Sequence, residues 1–106
     1  MKTIRLSHKA ADYIRQESAY LKDRSPAAAR TFALAMKRAR SLLQDFPEAG
    51  NTLHGLQIAG FRTLVVDNYL IDYRADDETV DIVTIRHGRM QQPMPDIDDA
   101  DTSDDM

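Results

Sequence analysis

Two helical patterns with almost no linker between them constrain the fold of this chain more than any other feature. The first follows Ser7, whose hydroxyl predicts a helix N-cap, and it stops at Asp23-Arg24. The second begins at once, because Ser25 supplies a capping hydroxyl and Pro26 takes the first helical position, where its missing N–H is not needed. Its apolar stripe runs for about five turns until Pro47 ends it. Helices this close in sequence must form an antiparallel hairpin that covers one side of its packing partner.

Extended segments flank the predicted hairpin. A short strand over Thr3–Leu6 precedes it, and three alternating strands follow at roughly 61–66, 69–74 and 79–86. Asp67-Asn68 predicts a two-residue turn, because both residues tolerate the positive φ that a type I′ connection requires. The sequence therefore predicts an α+β fold: a strand, an α-helical hairpin and a three-stranded antiparallel meander, in the order βααβββ.

The predicted strands carry apolar side chains on both faces of the sheet. The opposed sets are Leu64 and Val66 against Val65, then Tyr69, Ile71 and Tyr73 against Leu70, and Ile82 against Val83 and Ile85. The hairpin can cover only one face, so the other would expose an apolar patch of the kind that marks an interface. The alternative is that the small sheet twists and curls, aided by the 47–60 loop.

Charge divides the chain into two parts. Six of the 17 acidic residues lie in 96–106, which contains no Lys or Arg, so residues 1–95 carry 11 acidic and 14 basic side chains. The formal net charge of −3 therefore hides a body charge of +3. We predict a folded domain over 1–92 and an acidic, disordered tail over 93–106, because the tail has too little apolar surface to fold alone. The tail is a solubilising extension, an interaction segment or a screen for the cationic body.

The composition excludes several classes of site. The chain contains no cysteine, so disulfides, thiol nucleophiles and zinc–cysteine sites cannot form. His8, His54 and His87 lie far apart without ligand spacing, and neither a phosphate loop nor a nucleophile elbow is present, so we expect no metal and no cofactor. No apolar run is long enough for a secretory signal or a membrane span, and we expect a soluble cytoplasmic protein.

A row of cations follows the second predicted helix. Its members are Arg30, Lys37, Arg38 and Arg40. We interpret the row as the water-facing side of an amphipathic helix, because a body charge of +3 is a weak footprint for nucleic acid. Direct binding of nucleic acid is therefore not expected.

An ordered set of short motifs resembles the ParE branch of the RelE/ParE superfamily over about residues 2–91. No single motif is specific, but their order and spacing are. The motifs are Ser25-Pro26-Ala27-Ala28-Ala29-Arg30-Thr31-Phe32, Leu42-Leu43, Phe46-Pro47, Gly50, Gly60-Phe61-Arg62, Val66, Tyr69-Leu70-Ile71, Tyr73-Arg74, Ile82, Ile85 and Arg86-His87-Gly88-Arg89. The resemblance implies the RelE/ParE-like βααβββ fold predicted above. The long acidic ending departs from the family pattern.

The resemblance also implies a function. ParE proteins are toxins of type II toxin–antitoxin pairs, associated with plasmid stabilisation, and a co-encoded ParD-like antitoxin holds them inactive in a hetero-oligomer. Their expected target is DNA gyrase, whose inhibition stops DNA replication through protein–protein contact and without chemistry by the toxin. On this hypothesis the residues that bind antitoxin or target are Arg62, Arg74, Arg86, His87 and Arg89.

Two alternatives remain open from the sequence. A RelE-type, ribosome-dependent mRNA endonuclease would need cations for the phosphate and a proton-transfer group, for which His87 with Arg62, Arg86 and Arg89 are the candidates. Against it, residues 51–60 contain no Lys or Arg, and His87 reads equally well as a strand-end residue that lines the antitoxin groove. The third possibility is a non-toxic module that only binds an antitoxin.

Overall fold

The predicted order of elements is confirmed. The computed structural model describes residues 1–52 and 58–88. The elements are β1 (Thr3–Leu6), α1 (His8–Arg24), α2 (Pro26–Asp45), β2 (Phe61–Val66), β3 (Tyr69–Ala75) and β4 (Thr79–His87). The last two strands each extend one residue beyond their predicted ends. The predicted tail over 93–106 lies outside the described residues.

The helical hairpin is built around two serines. The Ser7 hydroxyl accepts a hydrogen bond from the Ala10 amide at 3.0 Å, and the Ser25 hydroxyl accepts one from the Ala28 amide at 3.2 Å. The Ser25 amide itself donates to the Leu21 carbonyl at 2.7 Å. Ser25 therefore closes α1 and caps α2 at one position, which leaves no room for a linker and folds the two helices against each other.

The four strands form one sheet in the order β1-β4-β3-β2. The last three strands are antiparallel to one another, whereas β1 runs parallel to β4. The helical hairpin between β1 and β2 carries the chain back across the sheet, so that β2 and β4 run in the direction of β1. In the β2–β3 turn positive φ is confined to Asp67, at 54°. The prediction of a type I′ turn is therefore wrong, since that type needs positive φ at both central residues.

Both helices pack on one face of the sheet, which we call the covered face. The buried apolar side chains of this core are Ala10, Ala35, Ala39, Leu43, Leu64, Val66, Ile71, Tyr73, Val80, Ile82 and Ile85. Along β4 the register shifts, because Tyr73 pairs with Ile82 while Asp72 pairs with Thr84, which leaves Val83 as an extra residue. This bulge brings Ile82 and Ile85 to the same face, so their predicted opposition is wrong.

The other face, which we call the open face, is mainly polar. Its side chains include Phe61, Thr63, Val65, Leu70, Asp72, Arg74, Asp81, Thr84 and Arg86. The predicted apolar patch is reduced to three side chains: Val65, which is 57% exposed, its half-buried partner Leu70, and Phe61, which lies under Arg74. The prediction was wrong because the bulge removes Ile85 from this face and because cross-strand charge pairs occupy its centre.

None of the helices in 1–52 and 58–88 combines the length and apolar character that crossing a membrane requires.

Candidate functional site

A buried carboxylate organises the centre of the open face. Asp72 is fully buried, and its oxygens accept hydrogen bonds from the Thr63 hydroxyl at 2.6 Å and from the Thr84 hydroxyl. Arg86 donates to the same carboxylate through Nη2 at 2.9 Å and through Nε at 3.2 Å. Three adjacent strands therefore contribute a closed network in which every lone pair of the carboxylate has a donor.

This network neutralises the charge of Arg86. Its side chain is 23% exposed and its guanidinium forks onto Asp72, so the pair is neutral as seen from solvent. A phosphate or an acidic partner would have to compete with a charge-assisted, bidentate contact to a fully buried carboxylate. Arg86 is therefore a structural cation of the sheet, whatever further contacts it makes.

A second carboxylate joins two arginines nearer the β1 edge of the open face. Asp81 accepts a hydrogen bond from Arg5 Nε at 2.8 Å, and Arg74 Nη2 lies 3.7 Å from its other oxygen. The hydrogen bond and charge of Arg5 hold the pKa of Asp81 below its usual range. Arg74 also lies over the Phe61 ring, with 5.7 Å from its central carbon to the ring centroid. With its side chain 58% exposed, Arg74 remains accessible to a partner.

Arg62 belongs to a different part of the molecule, where the chain leaves α2. Its Nη1 donates to the Gly50 carbonyl at 3.0 Å. Beside it, the Tyr73 hydroxyl accepts a hydrogen bond from the Gly50 amide at 2.8 Å and donates to the Pro47 carbonyl at 2.6 Å. A Cβ added at Gly50 would lie 2.8 Å from the Tyr73 ring, so this position has room only for glycine. Arg62 and Tyr73 together tie the start of the long connection to the sheet.

His87 lies at the opposite end of the covered face. Its ring meets the Tyr69 ring edge-on, with 5.2 Å between centroids, and Phe32 packs on Tyr69 at 4.9 Å. The Tyr69 hydroxyl donates to Glu17 Oε2 at 2.7 Å. His87 also lines a cavity of about 580 Å³, whose other lining residues are Leu21, Ala28, Thr31, Phe32, Asp67, Asn68 and Tyr69.

Two tyrosine hydroxyls in this cluster are shifted away from ionisation. Burial and the Glu17 carboxylate raise the pKa of Tyr13 to about 12. Burial, followed by the hydrogen bond to Glu17, raises the pKa of Tyr69 above its usual range. The His87 backbone lies close enough to the Tyr13 hydroxyl to offset part of the increase in its pKa. Among the described residues, however, no atom forms a hydrogen bond of acceptable geometry with that hydroxyl. Both phenols are therefore neutral at physiological pH, and neither is prepared to act as a base.

The candidate residues do not form one constellation. Arg62 and His87 lie at opposite ends of the covered face, separated by four residues along the sheet, or about 13 Å in the strand direction alone. Arg86 and Arg74 project from the open face, each beside an aspartate. Arg89 lies outside the described residues, as does His54. Within 1–52 and 58–88, no three His, Asp or Glu side chains come together in a way that could hold a metal ion.

The cations of α2 flank an apolar groove. Arg38 lies 3.7 Å from Asp67, which bears out a water-facing position for it. Lys37 and Arg40 instead line a cavity of about 350 Å³ whose other lining side chains are Ile4, Leu6, Ile14, Met36, Ala39, Ile71, Ile82 and Ile85. We call this cavity the isoleucine groove.

Sequence reasoning missed the residues that organise these sites. Asp72, Tyr73, Tyr69 and Glu17 were not candidates, although Asp72 carried a signal, since it stands between Ile71 and Tyr73 in a strand predicted to be central. A carboxylate in the middle of a buried strand requires a cation or several donors nearby. The sequence does not reveal which arginine supplies the charge.

Solved structures share this arrangement of strands and helices. A chain of the chromosomal ParDE toxin–antitoxin system from P. aeruginosa superposes with a TM-score of 0.66 at 20% identity, covering 82% of this chain and 96% of that one. A chain of the E. coli DinJ-YafQ complex superposes with a TM-score of 0.56 at 14% identity, covering 86% of this chain and 98% of that one. The fold is therefore that of the ParE and YafQ toxins.

The sequence itself identifies the family. Residues 4–92 match the family described as ParE toxin of type II toxin–antitoxin system, parDE. The chain is also 42% identical over 69 residues to Toxin RelE2 of Caulobacter vibrioides (strain ATCC 19089 / CIP 103742 / CB 15), an alignment that covers 64% of this chain and 74% of that toxin. The chain belongs to the ParE toxin family of the RelE/ParE superfamily, and it is the toxin of a type II toxin–antitoxin system.

Proposed function

We propose that this toxin inhibits DNA gyrase through protein–protein contact and performs no chemistry of its own. The observation that carries the proposal is the dispersal of its candidate catalytic groups. Arg86 is neutralised by Asp72, Arg62 is bound to the Gly50 carbonyl and His87 packs against Tyr69. An endonuclease needs a cation and a proton-transfer group at one phosphate, and these side chains are held apart by strands.

A ParD-like antitoxin is the proposed partner that neutralises the toxin. Support comes from the family description and from the ParDE and DinJ-YafQ systems that share the fold. Of the arginines proposed to meet acidic antitoxin side chains, Arg74 is the best placed, because it is exposed and shares Asp81 with Arg5. A double-mutant cycle between Arg74 and antitoxin carboxylates should show coupling, whereas Arg86 should show little because Asp72 already satisfies it.

The primary experiment follows macromolecular synthesis in a bacterium during the first minutes after induction of this chain. Incorporation of labelled thymidine should fall before that of labelled leucine, and co-expression of the antitoxin should restore it. An earlier fall of leucine incorporation would contradict the proposal. If neither label falls, the chain is a silent antitoxin-binding module.

A direct experiment uses purified gyrase and supercoiled plasmid. The toxin should reduce supercoiling and leave gyrase-linked, cleaved DNA after denaturation, and the antitoxin should abolish both effects. The matched control is DNA topoisomerase I, which should be unaffected. Inhibition of both enzymes, or of neither, would remove gyrase as the specific target.

The endonuclease alternative retains one specific observation in its favour. His87 borders the 580 Å³ cavity, which the polar residues Thr31 and Asn68 also line, and a 42% identical relative carries the name RelE2. The test is a His87→Gln variant, with His8→Gln, an exposed position at the start of α1, as the matched control. Equal killing by both variants supports the gyrase proposal. Loss of killing and of ribosome-dependent mRNA cleavage in His87→Gln alone would establish the endonuclease.

A further inference from the structure

The isoleucine groove is an apolar depression with cations only at its rim. It lies between α2 and the β1–β4 side of the sheet, where Ile4, Ile14 and Ile82 form its walls. Leu6 stands at the lip and is 44% exposed, which is unusual for a large side chain at the end of a strand that packs under a helix. A concave apolar surface of about 350 Å³ has room for one or two aliphatic side chains.

The rim is positively charged and unbalanced. Lys37 and Arg40 lie one turn apart on α2, and neither forms an ion pair with any residue in the described ranges. Their neighbour Arg38, by contrast, has Asp67 at 3.7 Å. No acidic side chain of the described residues lines the groove. The surface is therefore complementary to a segment that combines aliphatic side chains with several carboxylates.

The chain itself contains such a segment. Residues 94–101 read Met94-Pro95-Asp96-Ile97-Asp98-Asp99-Ala100-Asp101, in which two aliphatic side chains alternate with four of the six tail aspartates. Aspartates flank Ile97 on both sides, and residues 90–106 contain no Lys or Arg. Its composition matches both parts of the isoleucine groove.

The segment also begins within reach. Phe32 of α2 lines the same cavity as His87, so it marks the level at which β4 ends. Lys37 and Arg40 follow Phe32 by five and eight residues, about 8 and 12 Å along the helix axis. The eight residues 89–96 can span about 26 Å when extended. The tether is therefore about twice as long as the distance along α2 requires.

We propose that the acidic C-terminal segment docks in the isoleucine groove of its own chain, with Ile97 in the apolar depression and the flanking aspartates beside Lys37 and Arg40. Each exposed ion pair is individually weak, but a short tether provides a millimolar effective concentration, so a weak contact is populated. The tail then acts as a built-in competitor. A peptide partner that uses this groove must displace it, and its apparent affinity falls by the fraction of molecules in which the groove is occupied.

The test uses the absence of native cysteine. Ile97→Cys is combined with Leu6→Cys at the groove lip, and the control combines Ile97→Cys with Tyr20→Cys, which is 52% exposed on α1. Tyr20 adjoins Leu21, which lines the cavity beside His87, so an undocked tail would reach it at least as readily as Leu6. Under mild oxidation the Leu6 pair should form its intramolecular disulfide about tenfold faster than the Tyr20 pair.

Charge provides the second arm of the experiment. Changing Asp96, Asp98 and Asp99 to Asn removes the tail charges, and raising the salt concentration to about 0.5 M screens them. Either change should remove the difference in disulfide rate between the two cysteine pairs. Equal rates in the unmodified tail, or a faster Tyr20 pair, would overturn the proposal. So would disulfides that form between molecules in proportion to protein concentration, since a second copy would then occupy the groove.

An NMR measurement that needs no cysteine substitutions controls for the possibility that the cysteine variants fold incorrectly. Amide and methyl NMR spectra of the full chain are compared with those of the variant in which all six tail aspartates are Asn. Shifts should concentrate at Lys37, Arg40, Ile14 and Ile82 and leave Val65 on the open face unchanged. Spectra that differ only within the tail would refute docking.

Discussion

The two faces of the sheet are stabilised in opposite ways. The covered face is an apolar core with polar contacts at its two ends, namely those of the Tyr73 hydroxyl and the Tyr69–Glu17 pair. The open face carries its polar groups at the centre, where Asp72 is as deeply buried as any core residue. Because both helices lie on one side of the sheet, no second layer within 1–52 and 58–88 buries apolar side chains on the open face.

The difference explains why residue type alone is a poor guide to chemistry in this fold. On the open face, Arg86 and Asp72 have the composition of a catalytic pair. Their hydrogen bonds to each other, however, neutralise both charges within the sheet. On the covered face, His87 and Tyr69 are packed against aromatic rings and α2. The cations that remain accessible are those with exposed surface, such as Arg74, and not those with the strongest partners.

Removing the buried carboxylate should have the largest effect on stability. Asp72→Ala leaves Arg86 without its partner in a site that is largely closed to water, and we expect a loss of about 3 kcal/mol in the free energy of unfolding. Urea denaturation of the purified chain measures it. The double variant Asp72→Leu/Arg86→Met should recover part of the loss, because it replaces both charges with apolar groups while the Thr63 and Thr84 hydroxyls still lack their acceptor. Failure of this recovery would show that the network has a role beyond balancing charge.

On the covered face, the corresponding change is Tyr73→Phe. It deprives the Gly50 amide and the Pro47 carbonyl of their shared hydrogen-bond partner, with an expected cost of about 2 kcal/mol. Amide hydrogen exchange should show the loss most clearly at Gly50. The control Tyr20→Phe, on an exposed position of α1, should change stability by less than about 0.5 kcal/mol. A Tyr73→Phe variant with unchanged exchange at Gly50 would contradict the assigned role.

The covering layer itself depends on Ser25. Ser25→Ala removes the side-chain acceptor of the Ala28 amide, and we expect a loss of about 1 kcal/mol. Ser25→Asp should retain most of the stability, because aspartate is also a good N-cap. Thermal unfolding followed by circular dichroism distinguishes the two variants. Equal loss in both would mean that the backbone of the turn, and not the cap, sets the stability of the hairpin.

Acid should weaken the side of the molecule that carries the carboxylates. Hydrogen bonds from the Thr79 and Glu78 amides and from the Thr79 hydroxyl lower the pKa of Asp76, in the β3–β4 turn, to about 2. Because the folded-state pKa lies below the unfolded value of 3.8, its contribution is present above about pH 4 and is lost as the pH falls to 2. Asp76→Asn should flatten the stability profile in that window. An unchanged profile would exclude Asp76 as a source of acid sensitivity.

Alkali should destabilise the covered face instead, and the effect should begin only well above neutral pH. The pKa of Tyr13 is raised from 10.0 to about 12, so the unfolded chain ionises first and stability falls as the pH rises from about 10 to 12. Tyr13→Phe should reduce this slope, and it should not destabilise the protein at pH 7, because the buried hydroxyl has no hydrogen-bond partner among the described residues. Destabilisation at pH 7 would reveal a partner for that hydroxyl.

The sequence predicted the local features of the fold and missed those that depend on distant partners. Ser7, Ser25 and Pro26 define the helical hairpin because capping involves atoms only three residues apart. The bulge at Val83 depends on how β4 pairs with β3, and strand alternation alone assigned Ile85 to the wrong face. The family resemblance could place the strands in order, but it carried no information on which arginine would be neutralised.

The same limit applies to the candidate site. Arg62, Arg74, Arg86 and His87 were singled out together because they occur in neighbouring motifs. Alternation along a strand separates Arg86 from His87 onto opposite faces, and the β2–β3–β4 register separates Arg62 from His87 along the sheet. Asp72, which decides the state of Arg86, lies 14 residues before it and contributes to no recognisable motif.

The parallel pairing of β1 with β4 determines when the folded toxin can first form during synthesis of the chain. Thr3 pairs with Thr79, so the first strand has no partner until 76 further residues have been synthesised, which takes about 4–15 s at ordinary translation rates. The helical hairpin needs only local contacts and can form within microseconds of emerging. Because α2 ends at Asp45, 34 residues before Thr79, the alanine-rich inner side of the hairpin has no sheet to cover for about 2–7 s of synthesis. The fold of the toxin is therefore completed only after β4 has been synthesised.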